Sequence, residues 1–332
     1  MYILGIESSC DETAAAVVTS SGRVLSDIVH TQLVHARFGG VVPELAARAH
    51  SERLPGVVRE ALAQAGITRP DAVAATAGPG LIGAVLVGVC FAKAAAAGWG
   101  VPYLAVNHLE GHLLSPLLED PPPEWPFLAL VVSGGHTTLY LARGLGDYEV
   151  LAETVDDAAG EAYDKVARML DLGYPGGPHV DRLAAQGDPT KLALPRPVSR
   201  VAGAGDLDWS FSGLKTAVRT AIQRPDRASD ADICASFQAA VVDVLADRVV
   251  RASAATGIRR IALAGGVAAN SALRARIAGL GLDATIPPRH RCTDNASMIA
   301  NVGRLRLLAG AVDETTSRAR PSWTPGTPLE TA

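Results

Sequence analysis

What most constrains the fold of this chain is a strand–turn–strand–turn–strand pattern that occurs twice. Near the start, Tyr2-Ile3-Leu4-Gly5-Ile6 is apolar, Glu7 to Glu12 is polar, and Thr13 to Thr19 returns to small apolar residues. Ser20-Ser21-Gly22 then turns the chain into Val24-Leu25-Ser26-Asp27-Ile28. Later the same order recurs: Phe127 to Val132, a polar turn at Ser133-Gly134-Gly135-His136, the return Thr138 to Ala142, then Gly144 to Asp147 leading to Val150-Leu151-Ala152. At one fixed offset Ser8 matches Ser133 and Thr13 matches Thr138. The second halves also correspond. Asp71 to Ala77 is an apolar strand ending in Gly78-Pro79-Gly80 before an apolar helix. Arg260 to Ala264 is a strand ending in Gly265-Gly266, followed by Asn270 and a helix to about Ala278. The shared order predicts a duplicated domain.

With 332 residues the chain can form two domains, and a hydrophobic share of 48% excludes wholesale disorder. The cluster Pro121-Pro122-Pro123 with Pro126 predicts the linker. The expected first domain takes residues 1–118 plus about 295–323, the C-terminal helix packing back. The second takes 119–294 with an insertion at about 157–232, and 324–332 form a tail. Net charge is -4, so any attraction to nucleic acid must come from a local patch or a partner. The four cysteines lie far apart with no C-x-x-C spacing, so neither a disulfide framework nor a structural zinc site can be read from them. The first strand runs straight into Glu7 and Asp11, unlike a signal peptide. The apolar stretch Leu81 to Ala97 carries Lys93 and glycines, and predicts a buried helix rather than a membrane span. A reduced cytoplasmic protein is expected. Two domains, each opening with a hairpin around a polar turn, suggest an α/β actin-like architecture. This means two duplicated RNase H-like domains around a nucleotide cleft, each hairpin approaching the phosphates.

Several constellations carry chemistry, and each has a plain alternative. Asn107-His108-Leu109-Glu110-Gly111-His112 follows the strand-like run Val101 to Val106. On a helix, His108 and His112 share one face, either as metal ligands or as ordinary polar histidines. The residue after His108 is Leu109, so the peptidase pair with its glutamate base is absent. Ser133-Gly134-Gly135 reads as a phosphate cradle or a tight hairpin turn. Glu7 to Glu12, with Asp11, reads as a site for magnesium or for orienting an attacking group, or as a solvated loop. Asp164, Gly177 and Asp181 read as surrounding a ribose, or as loop chemistry. Asn270 offers an amide to a base or caps a helix, and Asp294 precedes the apolar helix Ala296 to Leu308 as a third metal ligand or a cap. Two histidines and a carboxylate suit Fe(II) by ligand type, and Zn(II) equally by donor set.

Assembled, these segments resemble the TsaD family over about residues 1 to 323. The matching stretches are Leu4 to Thr13, Gly39 to His50, the histidine hexapeptide, Val132 to Thr137, Asp157 to Lys165, Phe211 to Thr216, Gly265 to Asn270 and Thr293-Asp294-Asn295. The resemblance implies transfer of a threonylcarbamoyl group from threonylcarbamoyl-adenylate to N6 of adenosine 37, in tRNAs reading codons that begin with A, with release of AMP. It implies that His108, His112 and Asp294 bind one metal ion, usually iron. It also implies that Val131, Val132, Ser133, Gly134 and Gly135, with Asp164, Gly177, Asp181 and Asn270, bind the adenylate or ATP/AMP, where Mg2+ can accompany the phosphates. Asp11 is the catalytic candidate. Archaeal and eukaryotic relatives place a tyrosine ligand where this chain has Val131, which points to the bacterial branch. Its expected partners are a TsaB-like pseudo-homologue and a TsaE-like ATPase. A metallopeptidase, a kinase and a non-catalytic scaffold are the competing readings; retention of both histidines and Asp294 argues against the last.

Overall fold

The computed structural model describes residues 1–196 and 207–328. Part of the expected insertion and the end of the expected tail lie outside the described residues. The chain divides into two compact units, one of Met1–Pro122, Leu145–Asp147 and Asp294–Ala332, the other of Pro123–Gly144 and Tyr148–Thr293.

The first unit is built on strands β1 (Tyr2–Glu7), β2 (Glu12–Thr19), β3 (Val24–Thr31), β4 (Ala72–Gly78) and β5 (Tyr103–Asn107), in the order β3-β2-β1-β4-β5. β1 pairs antiparallel with β2 and parallel with β4. Strands β1, β2, β4 and β5 are almost wholly buried, because helices cover both faces. Alternation along β2 sends Ala15 and Val17 into one core with residues of α1 (Pro43–Gln64) and α2 (Ile82–Trp99). Ala14 and Ala16 meet Ala296 of α9 (Ala296–Leu308) on the other face. α9 lies so close that a methyl at Gly5 would overlap the Ala296 carbonyl, so β1 needs glycine at that position. β5 runs directly into the short helix α3 (His108–Leu114).

The second unit repeats the plan. β6 (Phe127–Val132), β7 (Thr137–Gly144), β8 (Asp147–Glu153), β9 (Arg260–Ala264) and β10 (Asp283–Thr285) take the order β10-β9-β6-β7-β8. Read from the other edge, this is the third, second, first, fourth and fifth strand, as in the first unit. The expected duplication is therefore present in topology. Helices α4 (Ala159–Met169), α5 (Gly176–Ala184), α6 (Ser212–Ile222), α7 (Asp230–Thr256) and α8 (Ser271–Ala278) complete it.

One expectation needs correcting. α2 is not a buried helix: Ala84, Val85, Gly88, Val89, Ala92 and Ala96 are covered, but Ile82, Leu86, Cys90 and Ala94 are exposed at four-residue spacing. It is also the one helix among the described residues long and apolar enough to cross a membrane. Here its covered face packs on β4 and α1.

Candidate active site

The end of β5 builds the first part of the site. Asn107 leaves the strand in extended geometry, and its side-chain oxygen accepts hydrogen bonds from the backbone N–H of Leu109 (2.9 Å) and Glu110 (3.2 Å). That cap starts α3 at once, so His108 opens the helix and His112 follows one turn later on the same face. The two rings stand edge to face with centroids 4.8 Å apart. Asp294 arrives from the other end of the sequence. The helix-cap alternative for it fails, because Asn295 caps α9 by accepting from Met298 N–H at 3.0 Å. The Asp294 carboxylate instead faces the histidines, with Oδ1 3.0 Å from His112 Nε2 and 3.7 Å from His108 Nε2.

One donor atom from each of the three residues lies within 4.8 Å of the others, a grouping that could hold a metal ion. Metal bonds of about 2.0–2.2 Å set neighbouring ligand atoms roughly 3–3.5 Å apart, close to the two separations above. The surrounding charge also fits a cation. Burial would lower the His108 pKa, but the carboxylates of Glu7 and Asp294 outweigh it and raise it to about 9. Burial and the nearby Asp294, Asp11 and Glu7 carboxylates push Glu12 up to about 10. The carboxylates of Glu7, Asp11 and Asp294 behind these shifts give the pocket a negative potential that suits a divalent ion.

Sequence reasoning missed the role of Glu7. It is fully buried, with Oε2 3.0 Å from His108 Nδ1. The same oxygen accepts from Thr76 Oγ1 at 2.6 Å, while Oε1 accepts from Ser9 N–H at 2.5 Å. A carboxylate on Nδ1 fixes the tautomer that leaves the Nε2 lone pair facing Asp294. The available signal was three acids within a single turn, but spacing alone did not say which of them points inward. Asp11 is not among the three grouped ligands; its carboxyl meets that of Glu12.

The second unit holds the other candidates. Val131 and Val132 are wholly buried in β6. Ser133 closes the turn after them: its N–H donates to the His136 carbonyl (2.8 Å), and its Oγ accepts from His136 N–H (3.1 Å). Gly134 and Gly135 are exposed at the tip, and a Cβ on either would meet nothing within 4 Å. Gly265, at φ +86, lets the end of β9 approach β6 where any side chain would strike the Val132 backbone. Asp164 Oδ1 accepts from Gly176 N–H at 2.7 Å and the carboxylate also meets Gly177 N–H, anchoring the start of α5, while burial raises its pKa. One turn into α5, Asp181 accepts from Ser271 Oγ (2.6 Å), Ser271 N–H (3.1 Å) and Asn270 Nδ2 (3.2 Å). Asn270 Nδ2 also donates to Gln238 Oε1 at 2.7 Å, and its Oδ1 accepts from Leu273 N–H at 2.9 Å.

Asn270 is thus a helix cap as well as a member of a polar network that brings in Gln238, which sequence reasoning did not single out. Asn270→Ala should lose about 1 kcal/mol of stability through the cap, and Asn270→Ser should regain most of it. Thermal unfolding of the two variants checks this; equal melting temperatures would show that the cap contributes little.

Comparison with known proteins places these residues in a family. The model of the TsaD family, described as tRNA N6-adenosine threonylcarbamoyltransferase, matches residues 23–301. A protein of that name from Bordetella pertussis is 51% identical over 341 residues, covering 97% of this chain and 98% of the relative. One from Anaeromyxobacter dehalogenans is 52% identical over 332 residues, with coverage of 97% and 98%. Among solved structures, HypF of T. kodakarensis matches with TM-score 0.62 at 18% identity, over 93% of this chain and 48% of that one. Component A of (R)-2-hydroxyglutaryl-CoA dehydratase from Acidaminococcus fermentans matches with TM-score 0.54 at 15% identity, over 93% and 99%. At such identities these two show the fold alone, and it is the expected actin-like one.

Proposed function

We propose, since the chain belongs to the TsaD family of tRNA N6-adenosine threonylcarbamoyltransferases, that it acts on adenosine 37 of tRNAs reading codons that begin with A. The donor in this reading is threonylcarbamoyl-adenylate. The adenosine N6 forms a bond to the carbamoyl carbon, and the bond from that carbon to the phosphate oxygen breaks. AMP leaves with the electron pair, and one proton leaves N6. The observation that carries the proposal is the convergence of His108, His112 and Asp294. These would hold one divalent ion, Fe2+ by ligand type, with Zn2+ equally suited by donor set. When bound, such an ion supplies Lewis-acid polarisation of the carbamoyl carbonyl or a hold on the threonyl carboxylate.

The chain's own residues do the rest. Glu7 keeps His108 in its ligating tautomer. The open tip at Gly134 and Gly135 leaves backbone N–H groups approachable by phosphate, with Mg2+ accompanying ATP or AMP there. Asp164 of α4, Gly177 at the start of α5, Asp181 one turn later and Asn270 would take the ribose and base, together with Val131 and Val132. Asp11 is the proposed catalytic residue, directing the proton that leaves N6. N6 is a weak nucleophile, so holding the reactants together must supply much of the barrier reduction. Asn270→Ser keeps the cap and should weaken AMP binding by roughly 1–3 kcal/mol, the cost of a lost buried hydrogen bond. Calorimetry giving unchanged affinity would leave Asn270 as a cap alone. Neither the metallopeptidase, the kinase nor the scaffold reading gains support from any specific observation.

The partners proposed are a TsaB-like pseudo-homologue and a TsaE-like ATPase, in the cytoplasm. The docking surface proposed for the TsaB-like partner is the exposed stripe Ile82, Leu86, Cys90 and Ala94 of α2. A chain of net charge -4 should bind tRNA weakly by itself, because affinity follows the number of phosphates neutralised. Reconstitution tests the whole proposal: threonylcarbamoyl-adenylate, a substrate tRNA and this chain, with partners added singly. Turnover should rise when the TsaB-like partner is added and co-elutes on gel filtration. Full multiple-turnover activity from this chain alone would overturn the partner requirement.

A further inference from the structure

After α9 the chain runs along the first unit as a strap. Asp313 makes an antiparallel bridge to Tyr103 at the start of β5, the last strand of its sheet, and its carboxylate accepts from Ala105 N–H at 2.9 Å. The Ser317 carbonyl accepts from Lys93 Nζ of α2. Arg320 N–H donates to the Ala77 carbonyl at 2.7 Å, and Gly80 N–H donates to the Pro321 carbonyl at 3.2 Å. Trp323 then sinks into the core, 7% exposed, and its carbonyl accepts from Asn107 Nδ2 at 2.9 Å.

The strap therefore ends on the residue that starts the histidine helix. The amide of Asn107 is fixed on both sides, its oxygen by the first turn of α3 and its nitrogen by Trp323. A second route leads to the same ring. Leu81 N–H, next to Gly80, donates to the Ser9 carbonyl at 2.9 Å, and Ser9 Oγ lies 3.2 Å from His108 Nδ1. A serine or aspartate caps a helix as well as asparagine does, so capping alone does not call for an amide at position 107. Aspartate supplies acceptors only and serine a single atom, whereas the amide places its oxygen on the first turn of α3 and its nitrogen on the Trp323 carbonyl.

We propose that residues 313–323 form a positioning strap for the metal centre, and that Asn107 is the positioning residue through which Trp323 fixes the direction of His108 and His112. This rests on the metal reading above. The test uses the full-length chain with Asn107→Ser, Trp323→Ala and both together. Zn2+ affinity is read by competition with a chromophoric chelator, and ligand geometry by the visible absorption of the Co2+-loaded chain. Asn107→Ser, which keeps a cap, should fold as wild type by circular dichroism, lose about tenfold in Zn2+ affinity and shift the Co2+ bands. The double variant should lose no more than the more affected single variant, because Asn107→Ser removes the donor to the Trp323 carbonyl and Trp323→Ala removes the ring that anchors that carbonyl. If Trp323→Ala does not fold, Asn107→Ser decides alone. Zn2+ affinity and Co2+ bands unchanged in Asn107→Ser, or single losses that multiply in the double variant, would overturn the strap while leaving the metal centre standing. A wild-type chain that takes up neither ion overturns the metal reading and the strap with it.

Discussion

Replacing His108 and His112 together by alanine should give a folded chain that retains no divalent ion and transfers no measurable threonylcarbamoyl group. The loss should exceed the roughly 10–100-fold expected for removing partners behind a ligand, because two of three donors disappear and Asp294 alone cannot hold an ion. α3 would keep its Asn107 cap and the buried ion pair between Glu110 and Arg306 (2.6 Å). Elemental analysis of the purified variant, with circular dichroism as the folding control, checks the prediction. Full metal occupancy in the double variant would sink the site.

Glu7→Gln should lower metal affinity by about 10–100-fold with little change in volume. The substituted amide can still accept from Ser9 N–H through its oxygen, but it must then turn its NH2 toward His108 Nδ1 and Thr76 Oγ1. Two donors then face each other unless His108 moves its proton from Nδ1 to Nε2. That tautomer removes the lone pair facing Asp294, so the ligand is lost although the ring has not moved. Chelator competition measures the effect, and thermal unfolding shows whether the buried turn holds. An affinity within about twofold of wild type would mean that the carboxylate on Nδ1 does not select the tautomer.

Much of this protein was legible from local pattern. Runs of small apolar residues broken by polar turns marked β1 to β3 and β6 to β8, and their repetition announced the duplicated sheets. The His-x-x-x-His spacing put two imidazoles on one helical face because four residues make about one turn. These signals live within a few residues of each other, which is the range over which backbone periodicity acts.

Where the signal had no period, the sequence was silent. α7 is the longest helix among the described residues, and buried residues fall on all its sides, so no apolar stripe marked it in the sequence. α2 is apolar throughout, and composition could not tell its covered face from the stripe left open. Only packing decided that Asp294 meets the histidines. β5 delivers His108 at one strand end, α9 lies across β1 and β2 through Gly5 and Ala296, and the two run together although nearly the whole second unit separates them in sequence. The same holds for Glu7 over Glu12 as the carboxylate behind His108, for Asn295 over Asp294 as the cap, and for Asn107 as the end of the strap. Each of these choices depends on which of several chemically similar neighbours faces inward, and that is fixed by strand register and helix docking rather than by residue type.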